Sequence, residues 1–233
     1  MSIYAIADLH LSKGVDKPMD IFGGRWKNYM ERIAENWRRT VGEQDTVVLP
    51  GDISWGMNDE ETLPDLRFLE ELPGQKILMR GNHDYWWQTT KKLNALFEEN
   101  NLKSLSILYN NAVLCGETVL CGTKGYMNDG EQTKEQNEKL FEREAARMEL
   151  SLKDAQQRFP GREKIAFLHY PPLTREFAYL QMLDLLFEYG VTRCYYGHLH
   201  GAGHTAAYIG DYYGMQFSMI SADFVDFTPV FVK

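Results

Sequence analysis

The sequence predicts an α/β fold with a mixed β-sheet, and three observations predict it. Short apolar, β-rich runs alternate with amphipathic helical stretches; each of the main runs stops at Asp, Asn, His or Gly; and near residues 104–121 the runs crowd together around Asn-Asn and Gly-Glu turns. Fully apolar strands separated by helices require a sheet covered on both faces, whereas closely spaced strands require hairpins. Both patterns in one chain make the sheet mixed.

Taken in order, the main strands fall at 3–7, 46–49, 76–79, 165–168 and 191–196. A meander is predicted from 105–108, 112–115 and 118–121, and further antiparallel strands at 205–209, 215–220 and 229–232. Trp26, Tyr29, Met30, Ile33, Ala34 and Trp37 recur at helical spacing, as do Trp86, Thr90, Leu93 and Phe97. Pro64 is read as opening a short helix that ends before Pro73-Gly74, and 177–189 as a helix ended by Gly190. The stretch 131–159 reads as one long helix within an insertion at about 129–161. Its apolar residues Phe141, Ala145, Met148, Leu152, Ala155 and Phe159 repeat at alternating steps of four and three, while 13 of its 29 residues are charged. Such a stripe lies on the domain's own sheet, or it projects as a cap or a surface for homo-oligomerisation.

At 233 residues the chain is expected to form a single domain, 1–233, with a substantial core; 44% hydrophobic and 13% aromatic residues exclude a disordered chain. A net charge of −8 argues against strong nucleic-acid affinity or attraction to an anionic membrane. Cys115, Cys121 and Cys194 lack C-x-x-C spacing, so neither a disulfide framework nor a zinc knuckle is expected. The first residues lack the basic region of a signal peptide, and no apolar run reaches the ~18 residues of a membrane span, so the expected location is cytoplasmic.

Chemistry concentrates at the strand ends: Asp8-Leu9-His10, Gly51-Asp52, Gly81-Asn82-His83-Asp84, His169, and Gly197-His198-Leu199-His200. Five of the six histidines lie there. An isolated histidine is usually structural, but the carboxyl ends of parallel strands open onto one crevice, where such residues converge. Two aspartates, several histidines and an asparagine form a mixed oxygen and nitrogen donor set, unlike the thiolates of structural zinc or the oxygen cage of calcium. The donors oversupply one ion. Two divalent ions ~3.5 to 4 Å apart, bridged by a carboxylate, would use them all and activate a bridging water. In D-x-H and H-x-H, residues i and i+2 of a strand point the same way.

The order D-x-H, G-D, G-N-H-D, H, G-H-x-H resembles the calcineurin-like metallophosphoesterase superfamily over residues 8 to 200. The resemblance implies a four-layer αββα sandwich of two mixed β-sheets. Residue by residue, it implies that Asp8, His10 and His200 bind a first metal, that Asp52 bridges, and that Asn82, His169 and His198 bind a second. His83 matches the histidine that contacts the phosphate or protonates the leaving oxygen, and Asp84 its orienting partner. The implied activity is hydrolysis of a small phosphodiester or phosphomonoester by a metal-bridging hydroxide, with Mn, Fe, Zn or Ni as the two ions. The G-D-x-x-D-R-G arginine of protein Ser/Thr phosphatases is missing from Gly51-Asp52-Ile53-Ser54-Trp55-Gly56, which disfavours that alternative. A protein-binding scaffold is the other alternative, although every ligand is retained.

Outside the matched pattern, His204 is a candidate substrate-side or supporting group, with an ordinary structural role the favoured reading. Trp55, Trp86 and Trp87 are read as core, or as platforms for a base or aromatic leaving group. Arg25, Arg80, Lys124 and Arg175 are candidate phosphate contacts.

Overall fold

The structure, a computed structural model, describes residues 1–128, 130 and 132–233. The chain divides into two compact units, Met1–Ile107 with Ile220–Lys233, and Leu108–Met219. Each is built on a mixed sheet flanked by helices.

In the first unit, strands β1 (Ile3–Ala5), β2 (Thr46–Pro50), β3 (Gln75–Met79) and β4 (Leu105–Ile107) run parallel, and β11 (Val230–Phe231) adds antiparallel to β1. All of Thr-Val-Val-Leu-Pro in β2 is buried, as its unbroken apolar run demands of a strand flanked on both sides. The connections are α1 (Tyr29–Thr40), α2 (Asp59–Glu70) and α3 (Thr90–Glu99). Helix α1 buries Tyr29, Ile33, Ala34 and Trp37, one stripe at helical spacing, and the indole of Trp37 donates to the Pro73 carbonyl at 2.9 Å. Trp26 precedes α1 in a short 3-10 turn. Pro64 lies inside α2, which is opened instead by Asn58, whose side chain accepts from the Glu61 N–H. Trp86 lies outside α3, whose N-cap is Thr89.

The second unit has β5 (Ala112–Cys115), β6 (Thr118–Thr123), β7 (Glu163–Leu168), β8 (Val191–Tyr196), β9 (Gly210–Tyr212) and β10 (Met215–Met219) in the order β5-β6-β7-β8-β10-β9. The inner four strands are parallel, and both edges are antiparallel. The predicted meander is therefore split: 112–123 forms a hairpin, while Leu105–Ile107 belongs to the other sheet, parallel to β3. Residues 205–209 are not a strand. A 3-10 helix occupies Gly201–Ala206, and β9 begins at Gly210.

Helix α4 (Lys134–Arg158) opens with a capping box between Thr133 and Gln136. Asp129 and Glu131, with which the predicted insertion and its helix begin, lie outside the described residues. Ala145, Met148, Leu152 and Ala155 of α4 are buried in one cluster with Val119, Cys121 and Ala166. Polar contacts fix its register: Ser151 Oγ donates to the Asn111 carbonyl and accepts from the Gly122 N–H, while buried Glu144 accepts from Thr123 Oγ1 and Arg147. Ala145, Met148, Leu152 and Ala155 of the stripe thus pack in the core of their own unit. Helix α5 (Leu180–Glu188), shorter than its predicted 177–189, buries Met182, Leu183 and Leu186 in the same cluster.

Candidate active site

The loops after β1 and β2 run side by side. The N–H groups of Asp8, His10 and Leu11 donate to the carbonyls of Gly51, Asp52 and Ile53, and Trp55 N–H returns to the Leu11 carbonyl. Asp8, His10 and Asp52 all have left-handed backbone, with φ of 60°, 47° and 51°. Non-glycine residues adopt this region at a cost, and such residues cluster at functional sites. Because β1 ends at Ala5, this backbone, rather than the two-residue period of a strand, aims Asp8 and His10.

The three side chains meet in the first unit. Asp8 offers a carboxylate oxygen within 4.8 Å of donor atoms of His10 and of Asp52, and His10 Nε2 lies 3.8 Å from Asp52 Oδ2. Asp8 and Asp52 are buried, at 0% and 1% exposure, and His10 is 3% exposed. Two buried carboxylates this close repel each other and lose hydration, and a divalent cation between them offsets both costs. Tyr29 holds the His10 carbonyl by a 2.8 Å hydrogen bond; burial pushes its hydroxyl up to about 12, so it remains a donor.

The loop after β3 is tied to the loop after β2 through Asp84, which is fully buried. Its carboxylate accepts the backbone N–H groups of Asp52, Ile53, Ser54 and Gly81 and the indole N–H of Trp86. Burial and the charge of Asp52 raise its carboxyl above the ordinary range, while these N–H donors pull it back. Asp84 does not cap α3, which starts at Thr90. His83 Nδ1 is buried without a hydrogen-bond partner, and the His83 N–H donates to Asp52 Oδ1 at 2.8 Å. The orientation of His83 thus runs through the backbone and not through an imidazole–carboxylate bond. Asn82 sits between Gly81 and His83 in this loop.

In the second unit His169 directly follows β7 and is fully buried; its N–H and that of Tyr170 both donate to the Lys124 carbonyl, and its own carbonyl accepts from Gly197. His198 follows β8 in left-handed backbone, φ 72°, with its ring 5.1 Å from His169 and 4.2 Å from Tyr170. His200 precedes the 3-10 helix that contains His204. Tyr170 was not singled out from sequence; its place directly after a strand-end histidine was the available signal.

The weaker candidates separate. Trp86 and Trp87 are buried, whereas Trp55 stacks on His10 at 4.8 Å and 20° and lies 4.8 Å from His83. Arg25 donates to the Asp223 carbonyl, Arg175 to that of Ala207, Lys124 lies over the Tyr170 ring, and Arg80 is exposed.

The chain matches the family model for calcineurin-like phosphoesterases over residues 1–202 and belongs to that family. Its fold is similar to the crystal structure of AQ665, a protein of unknown function from Aquifex aeolicus, at 18% identity and TM-score 0.52, covering 99% of this chain and 95% of that one. It is also similar to that of TT1561 from Thermus thermophilus, at 12% identity and TM-score 0.53, covering 88% and 85%. No protein with a curated description matches the sequence. Among the described residues, no helix is long and apolar enough to cross a membrane.

Proposed function

We propose that the chain is a dinuclear metal-dependent phosphohydrolase acting on a small phosphorylated substrate, with phosphodiesters preferred over monoesters. The carrying observation is the group of Asp8, His10 and Asp52, buried together at the carboxyl ends of parallel strands. Its oxygen and nitrogen chemistry suits a divalent cation, and family membership supports the same reading. Asp8, His10 and His200 would hold one ion, Asn82, His169 and His198 the other, and Asp52 both. Bound ions of Mn, Fe, Zn or Ni would supply Lewis acidity toward the phosphoryl oxygens and a nucleophilic water.

The chain's own groups then have distinct work. His83 would carry a proton on its imidazole to the departing oxygen, and Asp84 would keep the loops after β2 and β3 in register through their N–H groups. Trp55, beside His10 and His83, offers a flat surface for a second ester arm, which favours the diester.

Elemental analysis of unchelated protein should find two equivalents of metal, and Asp52→Asn should lose both along with hydrolysis. At most one equivalent in fully active protein overturns the dinuclear reading. Robust hydrolysis of nitrophenyl phosphate without detectable hydrolysis of bis-nitrophenyl phosphate or cyclic nucleotides reverses the diester preference.

A further inference from the structure

The first unit holds a cavity of about 480 Å³ lined by Met19, Ile21, Phe22 and Trp55 together with Asp16 and Lys17. That size lies within the range of small-ligand sites, which are mostly apolar with a few polar groups. The 3-10 turn Met19–Phe22 leaves Ile21 75% and Phe22 68% exposed, although large apolar side chains side by side in water are unfavourable. The turn's shape is set at both ends, by Pro18 before it and by Gly23 after it at φ 115°, a conformation closed to other residues.

Trp55 connects this cavity to the candidate metal donors. It lines the cavity while its ring stacks on His10 and approaches His83. Lys17 Nζ stands 5.8 Å from the centre of that ring. Asp16 and Lys17 cancel in charge, so the cavity favours a neutral occupant with hydrogen-bonding edges, and the two aromatic walls favour a flat one.

We infer that this cavity receives the organic arm of the phosphate ester, a planar, uncharged aromatic group of the kind a nucleobase or a simple aryl ring provides. The inference rests on the proposed phosphohydrolase reading for what lies beside it, and Trp55, Ile21 and Phe22 are the residues that set the preference.

The test compares p-nitrophenyl phosphodiesters that differ only in the second arm, methyl, phenyl or 5′-thymidyl, each read by nitrophenolate release from manganese-loaded protein. The aromatic arms should exceed methyl in kcat/KM by about tenfold, the lower part of the range for one stacked base. Ile21→Ser with Phe22→Ser should bring that ratio close to one, and Trp55→Leu should do the same. Binding of phenylphosphonate and methylphosphonate, whose carbon–phosphorus bonds are not hydrolysed, gives a second readout by calorimetry. Phenylphosphonate should bind about tenfold tighter, and the double variant should lose that advantage. A thymidyl arm preferred over phenyl identifies a nucleobase, and the reverse identifies a simple aryl group. If no ester is turned over yet phenylphosphonate keeps its advantage, the phosphohydrolase reading fails and the cavity assignment stands. If esters are turned over but neither rates nor binding distinguish the arms, the cavity assignment is overturned.

Discussion

A Cβ placed on Gly81 would sit 2.0 Å from Oδ1 of Asp52 and 2.2 Å from its peptide nitrogen. The loop after β3 thus touches the loop after β2 where only glycine fits. Neither side can yield without loss. The Asp52 N–H is bonded to Asp84, and Oδ1 of Asp52 accepts the His83 N–H at 2.8 Å.

Gly81→Ala therefore tests whether the two loops share one arrangement. Overpacking of this kind costs about 1–3 kcal/mol, which in a chain of this size lowers Tm by about 2–12 °C. Metal content should fall with it, because Asp52 must move. Thermal unfolding and elemental analysis on the same preparation check both; a native Tm with full metal content would show that the loops part freely.

These loops also mark where the sequence was legible. Their donors were readable because each follows an apolar run that becomes a buried parallel strand, as Asp52 follows β2 and His169 follows β7. The left-handed backbone at Asp8, His10, Asp52 and His198 is not readable, since aspartate and histidine are only enriched in that region and do not require it; at Asp8, His10 and Asp52 hydrogen bonds between loops hold it. The sequence of Leu105–Ile107 suits a meander with its chain neighbours, but the strand pairs with β3, a choice made by long-range packing. Residues 205–209 have strand-like composition, yet 205 and 206 complete the 3-10 turn, and Ala207 then bridges Thr174. Tertiary context overrides β-propensity there.

His83→Ala should retain metal while kcat falls by ~10² to 10⁴, the scale of general acid catalysis. Retention follows from the contact that survives: the residue-83 N–H, not the imidazole, bonds Asp52. The loss should be larger for an alkyl leaving group than for nitrophenolate, which departs without a proton. Equal losses would assign His83 to holding the phosphate.

Asp65 gives a prediction in pH. It bridges two loops, accepting from Ser54 Oγ at 2.5 Å and from the Lys13 N–H at 2.8 Å, and burial pushes its carboxyl from 3.8 up to about 6. A carboxyl raised on folding binds its proton more tightly in the native state. Its contribution to stability is therefore greatest below pH 4 and declines as pH rises toward 6, by at most about 3 kcal/mol. Asp65→Asn lacks this dependence. Denaturant unfolding of both proteins should show wild type losing ground to the variant between pH 4 and pH 7; parallel profiles would mean that Asp65 titrates normally.

The stripe on α4 decides between core and interface. Met148 and Leu152 are fully buried and share a cluster with β6 and β7 residues, so Leu152→Ala should leave a cavity rather than expose a seam. The expected cost is about 2–5 kcal/mol, a fall in Tm of about 4–20 °C. Association should not change, because the side chain already packs within its own unit. Met148→Glu with Leu152→Glu should abolish folding, since two buried carboxylates would lack cationic partners there. Sedimentation and thermal unfolding separate the alternatives: an altered oligomeric state with unchanged Tm in Leu152→Ala would make the stripe an interface, whereas a lowered Tm with unchanged mass makes it the core that holds helix to sheet.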